Sequence, residues 1–144
     1  MKSPIGEDLT NVFIVEDHNL VRRAMGQMIQ RTPGLSLCGE AATAEAALAK
    51  IPACKPQLVL IDISLPGMNG IDLIRVLHEK YPSMLLLALS GHDESVYGAL
   101  AIHAGARGYV MKGKREKVME AIRHISNDHI YVSDKLRAIL DGTV

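Results

Sequence analysis

The stretch LVLIDISLPGMNG, residues 58–70, decides the fold. Its first four residues, Leu58 to Ile61, are all apolar and strand-length, with no polar alternation. That is how a strand buried on both faces reads, as in a parallel sheet covered by helices. The run goes straight into Asp62 and then into a loop broken by Pro66, Gly67 and Gly70. A core strand that aims a carboxylate out of its end needs a reason.

Outward from this strand, short apolar runs alternate with segments of helical period. NVFIV (11–15) is a strand, and Leu20, Val21, Ala24, Met25, Met28 and Ile29 then mark one face of a helix stopped by Pro33-Gly34. LSLCGEA (35–41) is a second strand, followed by a helix with Ala44, Ala47, Leu48 and Ile51 inward and Pro52 at its end. A helix over 70–80 follows the quoted strand and closes at Tyr81-Pro82. MLLLALS (84–90) is the fourth strand, with a helix over 94–104 ending at Gly105. RGYVM (107–111) is the fifth, and Val118, Ala121, Ile122 and Ile125 define the fifth helix. Strict alternation of five strands with five helices predicts right-handed βαβ units, hence a doubly wound α/β fold on a parallel sheet.

Residues 1–9 read as an N-terminal extension, 10–126 as the domain and 127–144 as a tail. In the tail, Ser133 is placed to N-cap a short helix with Leu136, Ile139 and Leu140 on one side. Such a helix needs a surface to lean on, and the tail resembles the start of a linker to an output domain.

The chain has 144 residues, 48% hydrophobic and 22% charged, which suits one globular domain. Sixteen basic and sixteen acidic residues cancel, which argues against a dedicated nucleic-acid-binding surface. Cys38 and Cys54 lack CxxC spacing and read as small buried hydrophobes in a reducing compartment. MKSPIGED has no signal-peptide run and no apolar run reaches membrane length, so a cytoplasmic protein with no membrane partner is expected.

In open parallel sheets, ligands bind beyond the carboxyl ends of the strands. Strand one delivers Glu16 and Asp17 there, strand three Asp62, strand four Ser90, and strand five Lys112 just past its end. If strands one and three are neighbours, about 4.8 Å apart, Asp17 and Asp62 converge. Consecutive Glu16 and Asp17 serve the same pocket only if the chain has already left the strand. Three carboxylates against one lysine leave two negative charges uncompensated, which one divalent cation would neutralise. Oxygen-only ligation suits Mg²⁺ better than zinc. The same set suits phosphoryl transfer to a carboxylate. Taken singly, Asp62 would be a turn residue and Lys112 a solvated side chain; their joint exit at one sheet edge carries the argument.

Those residues resemble the receiver domains of two-component response regulators. The resemblance rests on VFIVEDHNLVRR, on Asp62 in LVLIDISLPGMNGIDLI, on Ser90 in LALSGHD, and on Tyr109 and Lys112 in GARGYVMKG, and it covers roughly residues 10–126. It implies the flavodoxin-like (CheY-like) strand order 2-1-3-4-5. It also implies that Asp62 is a phosphoacceptor for a sensor histidine kinase, so the chain is a regulatory domain and not an enzyme of turnover. By the same resemblance Mg²⁺, or Mn²⁺, is held by Asp17, Asp62 and the backbone carbonyl of Ser64, with Glu16 acting through water. Lys112 pairs with the phosphoryl oxygens, beside Gly91, and Ser90 with Tyr109 forms the switch pair, the ring turning inward on phosphorylation. Departures are Glu16 where many relatives have Asp, Gly113 in place of a proline, and Ser64 and His92 flanking the pocket.

EDHNLVRRAM and IYVSDKLRAIL resemble the LuxR/FixJ (NarL) subfamily, whose receivers precede a helix-turn-helix domain. That implies contact with DNA only through a C-terminal helix-turn-helix domain that these residues do not contain. It also implies a homodimer through the face of helix four, strand five and helix five. Tyr97 and Ala101 are expected to face solvent there with Ile102 beside them, near the basic Arg107, Lys114, Arg115 and Lys117. A stand-alone receiver is the alternative. A haloacid-dehalogenase-type phosphatase would need a second acid two residues after Asp62, where Ser64 stands. A flavin or nucleotide module would need a glycine-bearing phosphate loop where EDHN stands.

Overall fold

The five apolar runs form the strands β1 (Thr10–Val15), β2 (Leu35–Ala41), β3 (Leu58–Asp62), β4 (Leu85–Ser90) and β5 (Gly108–Met111). A computed structural model describes residues 9–91 and 94–142; His92, expected beside the pocket, and most of the N-terminal extension lie outside the described residues. All strands are parallel, in the order β2-β1-β3-β4-β5. This is the expected order, and it makes β1 and β3 neighbours, Val15 level with Ile61.

The connecting helices are α1 (Asn19–Gln30), α2 (Ala44–Cys54), α3 (Gly70–Lys80), α4 (Glu94–Ala104) and α5 (Arg115–Ser126). Along β3, Val59 and Ile61 face a core shared with α2, α3 and α4, and Leu58 and Leu60 face one shared with α1 and α5. All five β3 residues are buried, so the central strand is anchored from both sides. Full burial of each such side chain contributes about 1.5–3 kcal/mol. Thr43 and Asn69 cap α2 and α3, accepting from the backbone N–H groups of Ala46 and Asp72 at 3.1 and 2.9 Å.

Four expectations need correction. Leu20, placed on the inward face of α1, is 79% exposed, and Ala24 is exposed as well. The packed face of α1 begins at Met25, because the first turn stands beside the strand ends with no sheet beneath it. Ala101 is fully buried and Leu100 faces solvent in its place, while Tyr97 is exposed as expected. The sequence ESVYGALAIHA is apolar nearly all round, so its pattern leaves the phase of the helix undetermined. Helix α2 does not stop at Pro52 but runs through it to Cys54. Cys38 and Cys54 are only half-buried.

A sixth helix, α6 (Asp134–Leu140), stands beyond the five of the alternating pattern. Ser133 caps it as expected, accepting from Leu136 N–H at 3.1 Å. The surface it leans on is α4. Leu136 is fully buried in the α2–α3–α4 core, with Leu140 packed against it. Just before α6, Tyr131 bridges Gly108 in parallel, with Tyr109 N–H donating to the Tyr131 carbonyl at 3.0 Å and Tyr131 N–H to that of Arg107 at 2.8 Å. The tail therefore extends the sheet at its β5 edge.

Candidate functional site: an acidic pocket at the carboxyl edge of the sheet

Strand β1 ends at Val15, and Glu16 keeps one last ladder bond, its N–H donating to the Ala41 carbonyl at 3.0 Å. The chain then bends, which frees Glu16 and Asp17 from strand alternation. One ligand atom each from Glu16, Asp17, His18 and Asp62 lies within 4.8 Å of all the others. Glu16 is fully buried, Asp62 is 1% exposed and Asp17 stands at the mouth.

Asp62 is the last residue of β3, level with Leu89 of β4. Its Oδ1 accepts from Ser64 N–H at 2.9 Å, which turns the chain out of the strand. Gly70 fixes how the loop returns. A Cβ there would sit 2.3 Å from the Asp62 carbonyl oxygen and 2.5 Å from Ile63 Cα, so only glycine lets α3 begin against the strand end. Gly70 N–H donates to the Ile63 carbonyl at 3.1 Å. Glu45, from the first turn of α2, accepts from Met68 N–H at 3.4 Å on the outer side of the same loop.

Lys112 crosses the pocket from the end of β5. Its N–H donates to the Ser90 carbonyl at 2.8 Å, and its Nζ lies 3.0 Å from Glu16 Oε1 and 3.1 Å from Asp62 Oδ2. Lys112 Nζ also donates to Glu16 Oε2 at 3.3 Å. Glu16 Oε1, Asp17 Oδ1 and Asp62 Oδ2 are buried with accepting capacity unspent. Buried acceptors of this kind are costly unless a cation or donor takes them up. The donor set is all oxygen, apart from His18, and one ammonium does not neutralise it. The residues present fit a hard divalent cation.

The titration of the pocket follows from this crowding. Burial, with the Glu16 charge, raises the Asp62 carboxyl above its ordinary value, against the lowering influence of Ser64 N–H and Lys112. Burial pulls the Lys112 ammonium down, but hydrogen bonds and charges from Glu16 and Asp62 outweigh it and leave the group above its ordinary value.

Ser90 ends β4 fully buried, and Gly91 beside it is exposed. Tyr109 is 2% exposed, in the core that also holds Ala101, Ala104, Ala106 and Leu136. Gly113 takes φ +85°, and no cis peptide occurs among the described residues. The sheet edge thus brings together Glu16, Asp17, Asp62, Ser64 and Lys112, with Ser90 and Gly91 alongside.

Two participants escaped the sequence reading. His18 donates its backbone N–H to Glu16 Oε2 at 3.0 Å and sets Nδ1 3.3 Å from that oxygen and 3.6 Å from Asp17 Oδ1. Arg22 donates through Nη1 to the Glu16 carbonyl at 2.8 Å and through Nε to Glu40 Oε1 at 2.8 Å, clamping the acidic loop to β2. EDHNLVRR carries both, and a helix starting at Asn19 turns Arg22 back toward the loop.

Known proteins resemble this chain in sequence and fold. The response regulator receiver domain family matches residues 12–123. The "DNA-binding transcriptional activator DevR/DosR" of Mycobacterium tuberculosis is 32% identical over 92% of this chain, which spans 61% of that protein. The "Nitrate/nitrite response regulator protein NarL" of Escherichia coli K12 is 28% identical over 96% of this chain, which spans 64% of that protein. The chain thus spans a little over three fifths of the length of these curated relatives. A crystal structure of a LuxR-family two-component response regulator from Aurantimonas sp. superimposes with a TM-score of 0.84 at 28% identity, covering 94% of this chain and 97% of that one. With the sheet order and the acidic edge already in place, these matches decide the matter: the chain belongs to the response regulator receiver domain family, among relatives of the LuxR/NarL kind.

Proposed function

We propose that Asp62 accepts a phosphoryl group from a phosphohistidine of a sensor histidine kinase. The observation that carries this reading is the set of buried oxygens on Glu16, Asp17 and Asp62 with unspent accepting capacity, gathered round a strand-end carboxylate that Lys112 reaches at 3.1 Å. The Asp62 carboxylate attacks phosphorus in line, the P–N bond breaks, and the departing imidazole keeps the bond's electrons. Glu16, Asp17, Asp62 and the Ser64 carbonyl would hold Mg²⁺ or Mn²⁺, which when bound supplies positive charge to the phosphoryl oxygens. Lys112 neutralises what remains. Ser64 N–H holds the attacking carboxylate in register through Oδ1.

The phosphoryl group adds about −1.5 to −2 charge at neutral pH. That charge draws Lys112 from Glu16 and attracts the Ser90 hydroxyl at the end of β4, and Tyr109 on β5 reports the change. In this conformation Tyr109 is inward, the position the receiver resemblance assigns to the phosphorylated domain. The output face is that of α4, β5 and α5, used for self-association. The chain acts as the receiver part of a DNA-binding transcriptional regulator, with DNA contact made by a following helix-turn-helix domain.

Acetyl phosphate or phosphoramidate with Mg²⁺ should label the chain. The label should be sensitive to alkali and hydroxylamine, as an acyl phosphate is, and absent from Asp62→Asn. A label that survives that substitution removes the reading. Lys112→Ala should retain metal binding yet show no phosphorylation-dependent change in association state; dimerisation of the labelled variant equal to wild type would contradict the assigned role of Lys112.

A further inference from the structure

The two cysteines, sixteen residues apart in sequence, share one small space. Strand β2 carries a bulge: Val12 pairs with Leu37 and Phe13 with Gly39, so Cys38 has no partner in the ladder. A bulge breaks strict alternation and re-aims a side chain. Here Cys38 packs against the α2 side of the core. Gly39 looks the same way, since a Cβ on it would lie 2.8 Å from Cys54 Sγ and 2.8 Å from the Phe13 ring. Glycine at 39 thus leaves open the space that the Cys54 sulfur uses. That sulfur donates to the Cys38 carbonyl at 3.2 Å. Both residues are half-exposed, and the sequence holds no other cysteine.

Pro52 has no N–H to offer the Leu48 carbonyl, so the last turn of α2 lacks one of its bonds. Lys55 closes the helix in the left-handed region at φ 51°.

We propose that Cys38 and Cys54 are a redox-sensitive pair which hydrogen peroxide converts to an intrachain disulfide, stapling β2 to the end of α2. Burial first, then the charge and hydrogen bond of Cys54, push the Cys38 thiol up to about 11. Cys38 is therefore protonated at neutral pH and reacts second. The Cys54 thiolate attacks one peroxide oxygen, the O–O bond breaks, and the departing hydroxide takes a proton to become water, leaving a sulfenic acid. The Cys38 sulfur then attacks the Cys54 sulfur and gives up its proton, and the S–O bond breaks with loss of a second water. Two thiols and one peroxide yield one disulfide and two waters.

The test treats the full chain with hydrogen peroxide and reads intact mass and a non-reducing peptide map. Wild type should lose the mass of two hydrogens, show one linked peptide containing both cysteines, stay unlinked between chains, and revert with dithiothreitol. Cys38→Ser should hold a sulfenic acid at Cys54 that dimedone captures, and Cys54→Ser should leave Cys38 unmodified at the same dose. Two titratable thiols in wild type after treatment, or a disulfide formed only between chains, would overturn the proposal. Circular dichroism checks the serine variants, and the wild-type map alone decides if either fails to fold.

Discussion

At Asp62 the structure holds a carboxyl above its ordinary value, chiefly by burial and then by the Glu16 charge. A carboxyl whose folded pKa is raised adds stability when protonated, and that contribution is lost as pH rises through the folded value. Ionisation of Asp62 therefore works against the fold. Asp62→Asn removes that charge while its amide oxygen still accepts from Ser64 N–H. With chelator present, Asp62→Asn should melt above wild type at pH 7, and the gap should narrow as pH falls toward 3.8, the ordinary aspartate value. Denaturation curves at several pH values check this, and a gap that widens on acidification would contradict it. Lys112 has the opposite role. Its ammonium lies between Glu16 and Asp62, and removing one partner of a buried ion pair costs about 3–5 kcal/mol. Lys112→Ala should destabilise the metal-free chain by that order in urea denaturation, and added Mg²⁺ should restore part of the loss. Because its value is held above 10.5, wild type should lose stability as pH rises beyond that point, and the alanine variant should lack this alkaline loss.

Among the elements, the start of α3 packs against the strand end that carries Asp62. Asn69 caps the helix and Gly70 lets it approach the carbonyl of Asp62. Loss of an N-cap costs about 1 kcal/mol, so Asn69→Ala should lower stability by that amount and leave labelling of Asp62 nearly unchanged. Gly70→Ala forces a methyl group into the space of the strand-end carbonyl. Overpacking of this sort costs about 1–3 kcal/mol, and it should displace the loop that carries Ser64, so the labelling rate should fall far more than in Asn69→Ala. Equal labelling in the two variants would show that the loop position does not matter. These elements also show what the sequence could reveal. β3 was legible because a strand buried on both faces is uniformly apolar, and the exit of Asp62 followed from the strand's end. The phase of α4 was not, because residues apolar all round give no moment to read. The nearness of Cys38 to Cys54 was hidden by a one-residue slip in β2 that no alternation rule anticipates. His18 and Arg22 were visible as letters, but their direction depended on where the chain leaves β1.

Across the whole molecule, the tail ties the β5 edge to α4. Its two backbone bonds lie on either side of Gly108, one of them on Tyr109 N–H itself, and Leu136 plugs the core beside α4. The apolar side of α6 was legible in the tail, but the two backbone bonds were beyond reach of the sequence because main-chain groups carry no side-chain signature. A buried leucine cut to alanine ordinarily costs about 2–5 kcal/mol. Here the loss is bounded, because a tail that no longer docks can detach while the five-stranded sheet keeps its own core. Leu136→Ala should therefore lower the global melting temperature only slightly, while amide exchange at Tyr131 and Tyr109 accelerates at least about tenfold, equivalent to roughly 1.4 kcal/mol of local opening. Exchange at Leu60 in β3 should stay as slow as in wild type. Parallel acceleration at all three amides would mean that the tail and the sheet unfold as one unit, and then what happens at Asp62 could not be separated from what happens at α6.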